Sequence, residues 1–170
     1  MSIKSINPIL YCCLAFLIGC TGMCSKSRQD MPPEEVVQTY LDISLNMSSL
    51  EQKPVLINLT TGNLRDALEQ ASDDVFTSAF ITQNYHLESY SVVERRDRTP
   101  RETEITFLLT YRNLGPEREL KPEDAPQIKT ENTVSVVRYK GAWAIRDVLG
   151  KNTTIDFPLS QGSVITPGEN

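Results

Sequence analysis

The sequence predicts an α+β domain in which three N-terminal helices pack on a curved antiparallel sheet, and three observations carry that prediction. Between residues 33 and 80 the apolar positions recur at intervals of three and four, the helical period. Beyond Gln83 the period shortens to about two, and β-branched and aromatic residues take over, as half-buried strands require. Lys140-Gly141, between two such runs, has the composition of a tight hairpin turn.

Pro32-Pro33-Glu34-Glu35 opens the first helix, because proline suits the first turn and carboxylates meet the positive end of the helix dipole. Val37, Tyr40, Leu41, Ser44 and Met47 then form one face, and the helix is expected to run to about Leu50. A second helical stretch starts near Pro54, is punctuated by Thr60-Thr61-Gly62, and continues through Leu64, Ala67, Leu68 and Ala71. Asp73-Asp74 reads as the cap of a short third helix holding Val75, Phe76, Ala79 and Phe80. Strands are expected over residues 85–95, 102–112, 128–139 and 142–148. In the second, Ile105, Phe107, Leu109 and Tyr111 share a face; in the last, Trp143, Ile145 and Asp147 share one side, and Ala144, Arg146 and Val148 the other. Residues 115–127 carry Pro116, Pro122 and Pro126 and read as an exposed connection.

The chain of 170 residues is 39% apolar, enough for one core and one domain. Residues 1–19 read as a lipoprotein signal peptide: Lys4 lies in a short polar start, and an uncharged, mostly apolar run from Ile6 to Ile18 follows. That run is shorter than the roughly 20 residues a membrane-spanning helix needs. Leu17-Ile18-Gly19-Cys20 resembles the bacterial lipobox, in which the cysteine thiol takes a diacylglyceryl group and a small residue before it admits the signal peptidase. The expectation is lipidation at Cys20, a flexible tether over 20–32, a domain over 33–157 and a loose tail over 158–170. Each buried methylene of such an anchor contributes about 0.8 kcal/mol. The membrane is thus the first expected partner. Thr21 after the cysteine points to the outer membrane of the cell envelope.

All four cysteines, at 12, 13, 20 and 24, precede the domain, so no disulfide framework is available to it. His86 is the only histidine, which leaves no Cys/His metal constellation, and no cofactor motif is present. The net charge is −5, and Arg95, Arg96, Arg98 and Arg101 alternate with Glu94, Asp97, Glu102 and Glu104. That pattern excludes a nucleic-acid footprint and reads as a solvated hairpin end.

Three segments carry a family resemblance: Pro33-Glu34-Glu35-Val36-Val37-Gln38-Thr39-Tyr40-Leu41, Leu59-Thr60-Thr61-Gly62, and Gly141-Ala142-Trp143-Ala144-Ile145-Arg146-Asp147-Val148. In that order they resemble the NTF2-like superfamily, in particular its SnoaL-like and ketosteroid-isomerase-like branches and its small envelope lipoproteins. The resemblance implies a cone whose sheet and helices enclose a pocket, a fold that serves isomerases, dehydratases and binding domains alike. It also implies a place for Tyr40, which matches the first-helix tyrosine used as an oxyanion donor by the isomerase-like members. No carboxylate here aligns with their base; Asp73, Asp74 and Asp147 are the acids to inspect.

No catalytic set emerges from the residues themselves. Tyr40 lies on an apolar helix face, where a core tyrosine is the ordinary reading. His86 alternates with Tyr85 and Leu87 and is expected outside the pocket, Trp143 is a core anchor, and Arg112 and Arg138 are rim residues. Tyr40 and Asp147 are the candidate pocket pair, able to converge if the apolar residues beside them mark the inside. The leading expectation is a non-catalytic binding domain for a small apolar ligand or an envelope protein. The alternatives are a cofactor-free isomerase or dehydratase using Tyr40 and a pocket acid, and a structural subunit of an envelope complex. Intact mass of membrane-extracted protein is expected to show an acylated chain starting at Cys20, and Cys20→Ala is expected to leave uncleaved precursor.

Overall fold

The computed structural model of the protein describes residues 28–116 and 120–156. The leader 1–19, Cys20, the tether as far as residue 27 and the tail 158–170 lie outside the described residues. Four α-helical segments come first: α1 (Pro33–Leu45), α2 (Lys53–Asn58), α3 (Gly62–Gln70) and α4 (Asp73–Phe76), the last continuing into a π-helical turn over Thr77–Ile81. Four strands follow: β1 (Tyr85–Thr99), β2 (Glu102–Asn113), β3 (Gln127–Tyr139) and β4 (Ala142–Asp156). They form one antiparallel sheet in the order β1-β2-β3-β4, each strand pairing with the next in sequence.

The helices depart from the sequence expectation at their ends. α1 stops at Leu45 instead of near Leu50, because Ser49 starts a new turn: Gln52 Oε1 accepts from the backbone N–H groups of Ser48 (2.8 Å) and Ser49 (3.3 Å). The second helical stretch is divided in two at Thr60-Thr61-Gly62, which makes four segments of the expected three. The cap of α4 is Ser72, whose Oγ accepts from the Val75 N–H at 3.4 Å; Asp73 and Asp74 occupy the first turn. Ordered structure also begins ahead of residue 33, with a single turn over Arg28–Asp30 and Met31 packed on the core.

Two apolar clusters hold these layers together. On the sheet, Ile105, Phe107 and Leu109 of β2, Val134 and Val136 of β3, and Trp143 and Ile145 of β4 meet Val36 and Val37 of α1. Among the helices, Met47, Leu56, Leu68 and Phe76 form the second cluster, and Tyr40 packs against both. Each fully buried side chain of this size contributes about 1.5–3 kcal/mol. Both clusters lie within residues 28–156, so a chain beginning at Thr21 retains every one of these core residues. Trp143 is the anchor the sequence predicts, 7% exposed, with the Arg138 guanidinium 4.8 Å from its ring centre.

The helices are clipped to the outer edge of β4 by backbone. Ile145 N–H donates to the Leu59 carbonyl (2.9 Å) and Thr61 N–H donates to the Ile145 carbonyl (2.8 Å), with Thr60 beside Ile145 in a parallel bridge. Strand pairing along β4 is interrupted twice. Val136 faces Ile145, Ser135 faces Asp147, Val134 faces Val148 and Thr133 faces Gly150, so Arg146 and Leu149 are extra residues. β1 and β4 run on to Thr99 and Asp156, past the expected ends at Arg95 and Val148. The 115–127 connection is not wholly exposed either: Ala125 is fully buried, and its carbonyl accepts from Arg112 Nη1 at 2.8 Å. The hairpin turn is as expected, with positive φ at both Lys140 (50°) and Gly141 (86°).

Gly62 follows the clip directly, at φ +56°, and a Cβ there would meet Arg146 Cγ at 2.9 Å. Gly62→Ala is therefore expected to cost about 1–2 kcal/mol from the left-handed backbone alone. Gly150, with open space around it and no positive φ, supplies the control. Urea unfolding of the two alanine variants side by side measures the difference.

Candidate functional site

Between α1, the start of α3 and the helix-facing side of the sheet lies a cavity of about 240 Å³. Val37, Tyr40, Leu41 and Leu64 line it from the helices; Phe107, Leu109, Tyr111, Val134, Ile145 and Val148 line it from the sheet. The cavity exists because the clip fixes α3 beside β4 while the sheet continues past the helices towards Asp156. Its volume lies just below the roughly 300–1,000 Å³ of pockets that hold drug-sized ligands.

Among the described residues five side chains with polar groups line this apolar space: Tyr40, Tyr111, Thr130, Asn132 and Lys151. Thr130 and Asn132 sit two apart on β3, on the face that Val134 and Val136 continue, and both are buried. Asn132 Nδ2 donates to Thr130 Oγ1 at 2.8 Å. Lys151 stands directly opposite Asn132 on β4 and is exposed, which puts its ammonium at the opening of the cavity. The two bulges bring it there. They space the β4 lining residues Ile145, Val148 and Lys151 by three instead of two.

Tyr40 lines the cavity as the candidate pair requires, and its hydroxyl makes no hydrogen bond to another described residue. Burial raises its phenol pKa from 10.0 to about 12, so the group remains a neutral donor throughout the physiological range. Asp147 does not join it. The bulge at Arg146 puts Asp147 opposite Ser135, and its Oδ2 accepts from Asn63 Nδ2 at 3.0 Å, outside the cavity lining. Val148, expected on the opposite side from Ile145, lines the cavity with it.

His86 is exposed on β1, opposite Arg112, and outside the lining. Arg112 binds the Glu88 carboxylate and holds its pKa below the usual carboxylate range, with Gln127 Nε2 adding a second bond at 2.6 Å. Asp73 pairs with Lys53 at 3.2 Å, and Asp74 sits on the outer side of α4. Among the described residues no carboxylate lines the cavity, and no acid–base pair of theirs converges on it. Among the described residues no group of three His, Cys, Asp or Glu side chains is placed to hold a metal ion. What the lining can do is enclose an apolar body and offer hydrogen-bond donors to its polar end.

Thr130, Asn132 and Lys151 are absent from the candidates that the sequence supplies. Strict alternation from Val134 and Val136 back along β3 is enough to find the first two. Lys151 lies beyond the expected end of β4 and behind two bulges that composition does not announce.

The raised Tyr40 pKa has a pH consequence. The folded state keeps the proton more tightly than the unfolded chain, so this contribution to stability is intact below pH 10 and is lost as pH rises towards about 12. Tyr90 shares the same upper value, through burial first and then the nearby Glu34 and Asp42 carboxylates. Tyr40→Phe is expected to flatten the alkaline fall in the urea midpoint, and to leave one late-ionising phenol fewer in the tyrosinate absorbance titration.

Against known proteins, no protein-family model matches the chain, and no curated protein matches it. Several solved structures resemble it in part, among them the following two. The intermembrane space region of the chloroplast protein ARC6 aligns with a TM-score of 0.49 at 15% identity, covering 75% of this chain and 98% of that one. The VirB8 protein of Agrobacterium tumefaciens aligns with a TM-score of 0.37 at 17% identity, covering 74% of this chain and 95% of that one.

Proposed function

We propose that this is a lipid-anchored protein of the cell envelope, held through Cys20 at the outer membrane, whose domain binds a small, mainly apolar ligand without transforming it. The observation that carries the binding half is the cavity: apolar walls from α1, α3 and the sheet, a few polar groups, and no carboxylate among the described residues of its lining. The anchoring half rests on the lipobox residues Leu17-Ile18-Gly19-Cys20. Isomerase or dehydratase chemistry asks for a base within reach of Tyr40, and Asp147, the acid expected to supply it, faces Asn63.

A second reading has its own support. Val148, Leu149 and Ile155 are each about half exposed (51%, 52% and 49%) on the distal part of β4, and three apolar side chains on one strand suit an envelope protein partner or a role as a complex subunit. The two readings separate by mutation. With the chain from Thr21 to Asn170, an apolar fluorescent probe is expected to bind the parent protein. Leu41→Trp, which fills the cavity, is expected to lower its affinity by at least about tenfold, whereas Leu149→Ser leaves it unchanged. Probe affinity that ignores Leu41→Trp would count against the cavity, and membrane pull-downs that lose a specific protein with Leu149→Ser would support the partner.

A further inference from the structure

We propose that the ligand of this cavity is an amphipathic monoanion of the alkanoate class, its apolar body between α1 and the sheet and its carboxylate held by Lys151, Thr130 and Asn132. The inference rests on the ligand-binding reading and adds the chemistry of the head group. It follows from the polar lining, where among the described residues Lys151 carries the charge, Asn132 Oδ1 is an acceptor, and the Tyr40 and Tyr111 hydroxyls can donate or accept. Lys151 brings three N–H donors and a positive charge, and it forms no ion pair with any described carboxylate. Thr130 Oγ1 already accepts from Asn132 Nδ2, which leaves the Thr130 hydroxyl proton for a further acceptor. The second Nδ2 proton of Asn132 and the Tyr40 hydroxyl add two more donors to the same space.

Donors grouped in an apolar enclosure call for an acceptor-rich ligand, because an unanswered donor there forfeits its hydration. A cationic ligand would meet Lys151 with no described carboxylate in the lining beside it. A neutral apolar ligand would leave the buried Thr130 and Asn132 donors unanswered. The protein as a whole carries −5, so an affinity for anions has to come from this local arrangement and not from the overall field. The geometry agrees: Asn132 and Lys151 are direct neighbours across β3 and β4, with the apolar side chains Val134 and Val148 as the next facing pair inward. The anionic end then sits at the exposed side of the cavity, where its desolvation is small, and the hydrocarbon end lies deeper.

Calorimetric titration of the Thr21–Asn170 chain with decanoate, decanol and decylamine, each kept below its micelle concentration, tests this. Decanoate is expected to bind most tightly and decylamine most weakly. Lys151→Gln should weaken decanoate by about fivefold, the size of one partly exposed ion pair, and leave decanol within about twofold. Lys151→Glu should reverse the order of decanoate and decylamine. Thr130→Val, which keeps the shape of the side chain and removes its hydroxyl, should weaken decanoate while decanol changes less. If decanol binds as well as decanoate, or Lys151→Gln weakens both equally, the head-group inference is overturned while ligand binding in the cavity stands. If none of the three compounds binds and Leu41→Trp leaves the apolar probe unaffected, both fail together.

Discussion

Two backbone hydrogen bonds at Ile145 govern the arrangement of the helical layer on the sheet. Through them the Leu59–Thr61 segment lies against the edge of β4, so α2 ends and α3 begins at a fixed point beside the sheet. The same contact satisfies backbone groups of a buried segment, for Leu59, Thr60 and Thr61 are all largely shielded from water. Gly62 then turns the chain immediately after the clip, with its α-carbon close to the Arg146 stem where no larger residue fits without a shift. α1 is held independently, by Val36 and Val37 against the sheet and by Tyr40 against both clusters. The space left between these two attachments is the cavity.

The order of elements, helices first and strands after, is legible in the sequence because each rests on a periodicity of several residues. The β2 face of Ile105, Phe107 and Leu109, the Trp143 anchor and the Lys140-Gly141 turn are of this kind, and each is found where the pattern puts it. The distal half of β4 is not legible. Its run from Gly150 to Thr154 has little apolar alternation, and it is a strand because β3 pairs with it throughout. The bulges at Arg146 and Leu149 are equally silent, since an extra residue changes the facing of every side chain after it and leaves no mark on composition. That is why Asp147 and Val148 exchange the sides that simple alternation assigns to them.

The same bulge organises the open face of the sheet. Arg146 reaches across it to bind Glu102, and its Nη2 also donates to Ser135 Oγ at 2.9 Å. Ser135 is fully buried beneath this pair although it lies on the face away from the helices. Charged side chains thus cover the middle of the sheet, where two half-exposed ion partners contribute modestly to stability yet exclude water from the strands below. Elsewhere on this face Thr106 and Thr133 share a hydrogen bond at 3.0 Å. The polar character of this side leaves the apolar lining of the cavity on the helix-facing side.

Irregular pairing along β4 also bears on self-association. Past the clip, the strand from Asp147 to Asp156 is the last in the sheet and has no described neighbour on its outer side. Straight terminal strands act as templates for further strands, and growth of that kind ends in aggregates. Here the extra residue Leu149 breaks the even spacing of donors and acceptors, and Lys151 adds a charge in the middle of the stretch. An incoming strand would have to reproduce that irregularity to pair over the full length. The features that open a cavity on one side of β4 thereby act, on its margin, as a guard against fibre formation.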